Sequence, residues 1–207
     1  MRKNQRADTR KPEILENYYQ VLIEEGFEGT SIGKIAKRMN IHPPLIIHYF
    51  KTKENMTIEL VDLLIEKYEA PEFLQFDHIQ DLEQRFNALI DAIFTFEWSR
   101  TVDPGIHFGF YYLSFRNQEI RQRFETMIRR FRDYLVAELE VYRKAGIVKV
   151  KDLKKASDII VTLMEGLEFH AHFLAENQPF EEFAHYSKQL VLGMLKGEPV
   201  PIEIDAE

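Results

Sequence analysis

Cysteine is absent from the 207 residues. That excludes a disulfide framework and every thiolate metal site, and it fits a reducing cytoplasm. No stretch approaches the roughly 18–20 uninterrupted apolar residues that a spanning helix needs, so a soluble protein without a membrane partner is expected. The N-terminus, MRKNQRADTR, is charged and has no apolar run behind it, which is not the form of a secretory leader. Period-two strand patterns and internal repeats are missing. So are the motifs of common catalytic scaffolds: there is no G-x-S-x-G elbow, no phosphate loop, no H-E-x-x-H and no recognisable pair of carboxylates. A non-enzyme is expected, with no catalytic residue, metal or cofactor assigned.

What is present is a globular composition, 45% apolar and 29% charged, that argues against disorder except at the ends. The net charge of −7 is unevenly spread. Residues 1–55 carry 10 Lys/Arg against 7 Asp/Glu, while residues 56–207 carry 17 against 27. A basic end on an acidic body points one end of the chain at an anion.

Nearly every segment repeats its apolar residues at the helical period, which predicts an all-α fold. A first helix over 9–25 carries Ile14, Tyr18, Val21 and Leu22 on one stripe and closes at Gly26. Thr30 and Ser31 offer hydroxyls to cap a second, 31–39. Asn40 suits the turn that follows, and Pro43-Pro44 opens a third, 43–50, where missing N–H groups do no harm. Thr52 caps a fourth, 53–70. Later helices are predicted over 79–98, 106–115, 117–145, 153–176 and 179–196, and the tail 197–207 has no period.

Three short helices within residues 9–50 have the form of a helix-turn-helix. Ala36 provides the small residue where two helices cross, Asn40 the tight turn and Ile41 the apolar anchor after it. The run Gly26-Phe27-Glu28-Gly29-Thr30-Ser31-Ile32, then Ile35 to Ile41, then Leu45-Ile46-Ile47-His48-Tyr49-Phe50-Lys51-Thr52-Lys53-Glu54, resembles the tetracycline-repressor family of bacterial regulators. The His-Tyr-Phe-Lys-x-Lys-Glu piece is its most specific part. The resemblance covers about residues 9–60. It implies a homodimer that grips double-stranded DNA through two such heads, and a C-terminal core that binds a small effector and changes the spacing between them.

Carried over by position, the resemblance places Thr30 and Ser31 near phosphate. It places His42, Pro43, Pro44, Ile47 and His48 on the groove-facing side of the third helix, and Tyr49 and Lys53 at the DNA backbone. The chain departs from the family at His42-Pro43-Pro44, where a small hydroxyl residue, a lysine and a glycine or proline are common, and at Ile47, often a tyrosine. Proline donates no hydrogen bond, so apolar contact between thymine methyls and Pro44 or Ile47 is expected to replace part of the base readout. The basic residues Arg2, Lys3, Arg6, Arg10 and Lys11 form either an added DNA contact or a solvated tail.

The C-terminal half is very aromatic. Phe94, Trp98, His107, Phe108, Tyr111, Met127, Phe131, Met164, Glu165 and Phe169 are the candidates for lining an effector pocket, although aromatics at helical spacing fill a core just as readily. Glu97 or Glu165 would favour a cationic guest if they faced it. A metal reading of Glu168, His170 and His172 is weak, because residues two apart on a helix point about 200° apart. The resemblance puts the dimer interface on the last two helices, where Ile159, Leu163, Leu167, His170 and Leu174 share one face, with Phe183, Leu190 and Leu195 opposite. The expected organisation is a DNA-binding domain over 1–52, an effector and dimerisation domain over 53–196 and a mobile tail. The expected function is a cytoplasmic, ligand-responsive repressor on a palindromic operator. The alternatives are a non-regulatory binder of hydrophobic compounds or an enzyme on a helical scaffold.

Overall fold

The computed structural model describes residues 2–69, 75–95, 102–174 and 180–199, with side chains placed from residue 10 onward except those of 67–69. The described residues form nine helices and no strand. They are α1 (Arg2–Gly29), α2 (Ile32–Arg38), α3 (Pro43–Phe50), α4 (Lys53–Glu69), α5 (Leu82–Ile93), α6 (Pro104–Ser114), α7 (Gln118–Lys144), α8 (Leu153–Phe173) and α9 (Phe180–Lys196).

Side-chain caps set most of the starts. Ser31, Thr52, Asp81, Asp103 and Asp152 each accept a hydrogen bond from the backbone N–H three residues on. Asn117 accepts two, from Glu119 and Ile120. Each such cap is worth about 0.5–2 kcal/mol to its helix. Gly26 breaks α1 near its end at φ 69°, ψ 178°, a conformation that side chains avoid. Two expectations shift. α1 reaches back to Arg2, through Pro12, so the basic arm is helical. α5 is shorter than its apolar pattern, running only from Leu82 to Ile93.

The chain packs as two units. The first takes in Met1–Ala70 and Arg100–Met127, the second Pro71–Ser99 and Ile128–Glu207. In the first, Ile14, Tyr18 and Leu22 of α1 meet Ile35 and Ala36 of α2, Ile46 and Phe50 of α3, Met56 and Leu60 of α4, and Ile106 and Phe110 of α6. Tyr18 shares a buried hydrogen bond with Thr57 at 2.8 Å. In the second, Phe86, Leu89 and Ile90 of α5 pack with Leu135, Leu139 and Tyr142 of α7, Ile160 of α8 and Val191 of α9. No helix among the described residues is long and apolar enough to cross a membrane.

One ionic group is set into the second unit. The Arg85 guanidinium donates to Glu138 at 2.8 Å and reaches exposed Asp77 at 3.0 Å, while the Tyr142 hydroxyl donates to the other Glu138 oxygen at 2.8 Å. Burial, then the hydrogen bond and charge of Glu138, push the Tyr142 phenol up. Burial and the Glu138 charge push Tyr134 up to about 12. Removing the carboxylate strands the arginine, so Glu138→Ala is expected to destabilise the fold by about 2–3 kcal/mol in urea melts, below the figure for a wholly buried pair. These phenols stay neutral in the folded chain, whereas in the unfolded chain they ionise near the ordinary tyrosine value of about 10. Stability is therefore complete below about pH 10 and falls as pH rises from there towards the folded values. The double variant Tyr134→Phe/Tyr142→Phe should lose less stability between about pH 9 and pH 11 than the parent.

Candidate nucleic-acid interface and effector cavity

α2 and α3 are joined by the turn that their sequence predicts. Asn40 adopts φ 52°, and the Ile41 N–H donates to the Ala36 carbonyl at 3.0 Å, which closes α2 and turns the chain. Ala36 is buried at the crossing. Pro43 and Pro44 occupy the first two positions of α3, and His42 precedes them in extended geometry. The helix has two distinct faces. Ile46 and Phe50 are buried, whereas His42, Pro43, Pro44, Ile47 and His48 are all exposed, Ile47 to 45%. Tyr49 is half-buried, its ring edge-on to that of His48 at 5.5 Å. Spacings of three and four put Pro44, Ile47 and His48 on one side of a helix only eight residues long.

The flanking residues divide. Ser31 is exposed and caps α2, accepting from the Lys34 N–H. Thr30 is not placed as expected. Its side chain is buried, and its hydroxyl donates to the Gly26 carbonyl at 2.6 Å, since the chain folds over it after the Gly26 break. Lys53 likewise turns inward. Its ammonium donates to the carbonyls of Phe27 at 3.0 Å and Thr30 at 2.5 Å, and burial pulls its pKa down against the upward pull of Glu28. In the basic arm, Lys11 donates to both Glu59 oxygens at 2.8 Å and Arg10 pairs with Glu13 at 2.6 Å, so these two knit the unit together. The side chains of Arg2, Lys3 and Arg6 lie outside the described residues. Lys37 and Lys51 are exposed cations near α3 that the sequence pattern did not single out. Lys51 holds φ 67° as the cap of α3 while donating to the His48 carbonyl.

Within the same unit lies a cavity of about 20 Å³. It is lined by Val61, Leu64 and Ile65 of α4, Val102, His107 and Phe110 of α6 and its approach, and Phe124 and Met127 of α7. His107 and Met127, two of the residues named as pocket candidates, both line it. Phe108 and Tyr111 surround the His107 ring at 5.3 and 5.0 Å, and Tyr111 lies 5.6 Å from Phe124. The α4 residues were missed by the sequence reading. Their spacing of three and four marks a face, but nothing in it tells a cavity wall from packed core. Phe94, Phe131, Met164, Glu165 and Phe169 belong to the second unit, where Phe94 is buried in the core and Phe169 is exposed beside Phe173 at 4.9 Å. Trp98 lies outside the described residues.

On α8 and α9, Leu167 and Leu195 prove to be core residues of their own unit, 3% and 0% exposed, and are not available to a partner. The period placed them on an apolar face without showing that the face is covered by the neighbouring helix. Leu163 and Leu190 are half-buried. Ile159, Leu174 and Phe183 are exposed, together with Phe173 and Tyr186, and the His170 ring stacks flat on Phe183 at 4.0 Å. Glu168 and His172 bond to each other at 3.1 Å, and no group of three metal-ligating side chains is found among the described residues.

Residues 14–60 match the family model for bacterial regulatory proteins of the tetR family, and residues 81–197 match the tetracyclin repressor-like C-terminal domain. The chain belongs to the tetracycline-repressor family. This TetR-family transcription regulator is 21% identical over 158 residues to the HTH-type transcriptional regulator BetI of Rhizobium meliloti (strain 1021), spanning 76% of this chain and 75% of that one. Its fold is similar to the crystal structure of a TetR transcription regulator from Haloarcula marismortui, with a TM-score of 0.76 at 18% identity over 92% and 98% of the two chains. It is also similar to AibR in complex with isovaleryl coenzyme A and operator DNA, at 0.63 and 16% over 92% and 100%. A third similar structure comes from Saccharomonospora viridis, a protein assigned as a transcriptional regulator and crystallised with choline, at 0.74 and 15% over 89% and 96%.

The position of Lys53 yields a test. If its ammonium serves the turn, Lys53→Met lowers the thermal midpoint and leaves the slope of log affinity against log salt unchanged. A phosphate contact would instead reduce that slope by about one while leaving stability near the parent's.

Proposed function

We propose that this regulator is a ligand-responsive repressor that binds a palindromic operator as a homodimer and releases it when a small apolar effector enters the α4–α6–α7 cavity. The observation that carries the reading is the outward face of α3. An exposed isoleucine beside two histidines and two prolines, on a helix whose other face is buried, is costly to leave in water and suited to a groove bearing thymine methyls. In this reading His42, Pro43, Pro44, Ile47 and His48 meet bases, while Ser31, Tyr49, Lys37 and Lys51 meet the DNA backbone. Residues 1–52 are the reading head, and residues 53–196 hold the effector and the partner. Residues 200–207 of the tail lie outside the described residues. That functional border falls inside the first packing unit, which joins α4 to the reading helices.

The exposed residues Ile159, Phe173, Leu174, Phe183 and Tyr186, with half-buried Leu163, Leu190 and His170, are the proposed dimer face. An apolar surface of this kind is usually an interface. Two heads held by it must present their third helices about 34–36 Å apart, or a multiple, to engage a palindrome. Among the described residues the cavity lining is seven apolar side chains and one imidazole, which supports an apolar guest. Asp62, next to Val61, is paired with Arg123 at 2.6 Å. Glu97, named from the sequence as a residue that would favour a cationic guest, lies outside the described residues. The chain acts as a regulator and not a catalyst, and works in the cytoplasm where its DNA is.

The test is selection of fragmented source-organism DNA by the purified protein, with His48→Ala in parallel. A palindrome recovered by the parent and weakened in the variant is the expected result. No enrichment by the parent at low salt would end the reading. With the operator in hand, Ile47→Ala should relax preference at a thymine by about 1 kcal/mol, the scale of one buried methyl group.

A further inference from the structure

We propose that Phe110 and the notch at Gly109 carry the effector signal to the reading helices through Phe27. This rests on the repressor reading and adds the contact that transmits its signal. Phe27 follows the break at Gly26, and its ring lies directly across Gly109 of α6. A Cβ on residue 109 would stand 2.2 Å from Phe27 Cε2, 2.9 Å from Cδ2 and 3.0 Å from Cζ, so only glycine admits the ring. One residue on, Phe110 packs edge-to-face against the same ring, with centroids 5.4 Å apart and planes at 80°. Phe110 is itself buried and lines the cavity. It therefore touches the effector space on one side and Phe27 on the other.

Phe27 is not free to move alone. Its carbonyl and that of Thr30 are held by one ammonium, that of Lys53, and Thr30 donates to the Gly26 carbonyl. Residues 26–30 thus form a tied turn, and Ser31, the cap of α2, comes next. A shift of the Phe27 ring is delivered to the start of α2, on which α3 is packed. The cavity has room for about one water molecule. Any larger guest displaces its lining, and close-packed interiors answer by switching between arrangements more than by stretching. The Phe110 ring is in edge-to-face contact with Phe27, so displacement of Phe110 disturbs the seat of Phe27 in the notch.

The coupling is tested on the operator selected by the parent, by fluorescence anisotropy. Gly109→Ala unseats Phe27 without any effector, and is expected to weaken binding about 5- to 150-fold, the usual span of coupling between sites. Leu64→Phe overfills the cavity and is expected to do the same. In a Phe27→Leu background the ring is gone, and either change should then alter affinity by no more than about twofold, the ordinary error of additivity. Circular dichroism and thermal melts show that each variant is folded; where Gly109→Ala is not, Leu64→Phe decides by the same criterion. Parent-like binding by the folded single variants, or losses that persist undiminished without the Phe27 ring, would overturn the coupling and leave the repressor reading standing. A parent that selects no operator overturns the repressor reading and this coupling with it.

Discussion

The ammonium of Lys53 sits where the reading head is tied together. It bonds the carbonyls of Phe27 and Thr30, which bracket the turn between α1 and α2, and it does so from the first residue of α4. Partial burial makes the charge harder to hold, as the lowered pKa records, and the two carbonyls offset that desolvation. Through this contact the entry to α2 is fixed relative to α4. α3 then follows from α2 by the Asn40 turn, so the reading face inherits its orientation from the same place. A helix of eight residues has little stability of its own. Burial of Ile46 and Phe50 in the shared core keeps α3 formed, and that leaves its outer residues free to be chosen for DNA.

Much of this was legible in the sequence because it is local chemistry. Hydroxyl and carboxamide caps at Ser31, Thr52 and Asn117, a glycine where the backbone turns positive at 26, and paired prolines at 43 and 44 act within a few residues of themselves. The helices begin where these residues put them. The apolar period was a reliable guide to helices and to inward faces such as Ile14, Tyr18 and Leu22. It was a poor guide to what covers those faces. Leu167 and Leu195 sit on apolar stripes that a neighbour in the same unit already covers, and Thr30 and Lys53, polar residues expected at DNA, satisfy backbone carbonyls instead. Partners distant in sequence decide these outcomes. Lys51 is a harder case still, since a lysine at positive φ has no local mark.

The reading face departs from the common pattern in a consistent direction. Two prolines at the start of α3 remove two backbone donors from its exposed first turn, and Ile47 offers only carbon. Hydrogen-bonding capacity is left to the imidazoles of His42 and His48 and to Lys37 and Lys51. In the proposed reading such a face would discriminate less by bidentate bonds than by shape and methyl contact, while the lysines would supply affinity that depends on salt but not on sequence. An acidic body behind a basic head fits this division, because like-signed DNA phosphate repels every other approach.

The smallness of the cavity bears directly on how such a regulator can respond. A preformed pocket that matched its guest would bind tightly and move nothing, because equal affinity for two arrangements shifts neither. Under the proposed coupling a guest must first make room among Phe110, Phe124 and the pliable Met127, which lowers its apparent affinity. The same displacement is what distinguishes the two arrangements, and the effector's preference for the opened one sets the limit on how far DNA binding can fall. By reciprocity, the proposal requires that operator DNA, if it favours the seated Phe27, favours the closed cavity and weakens the effector equally.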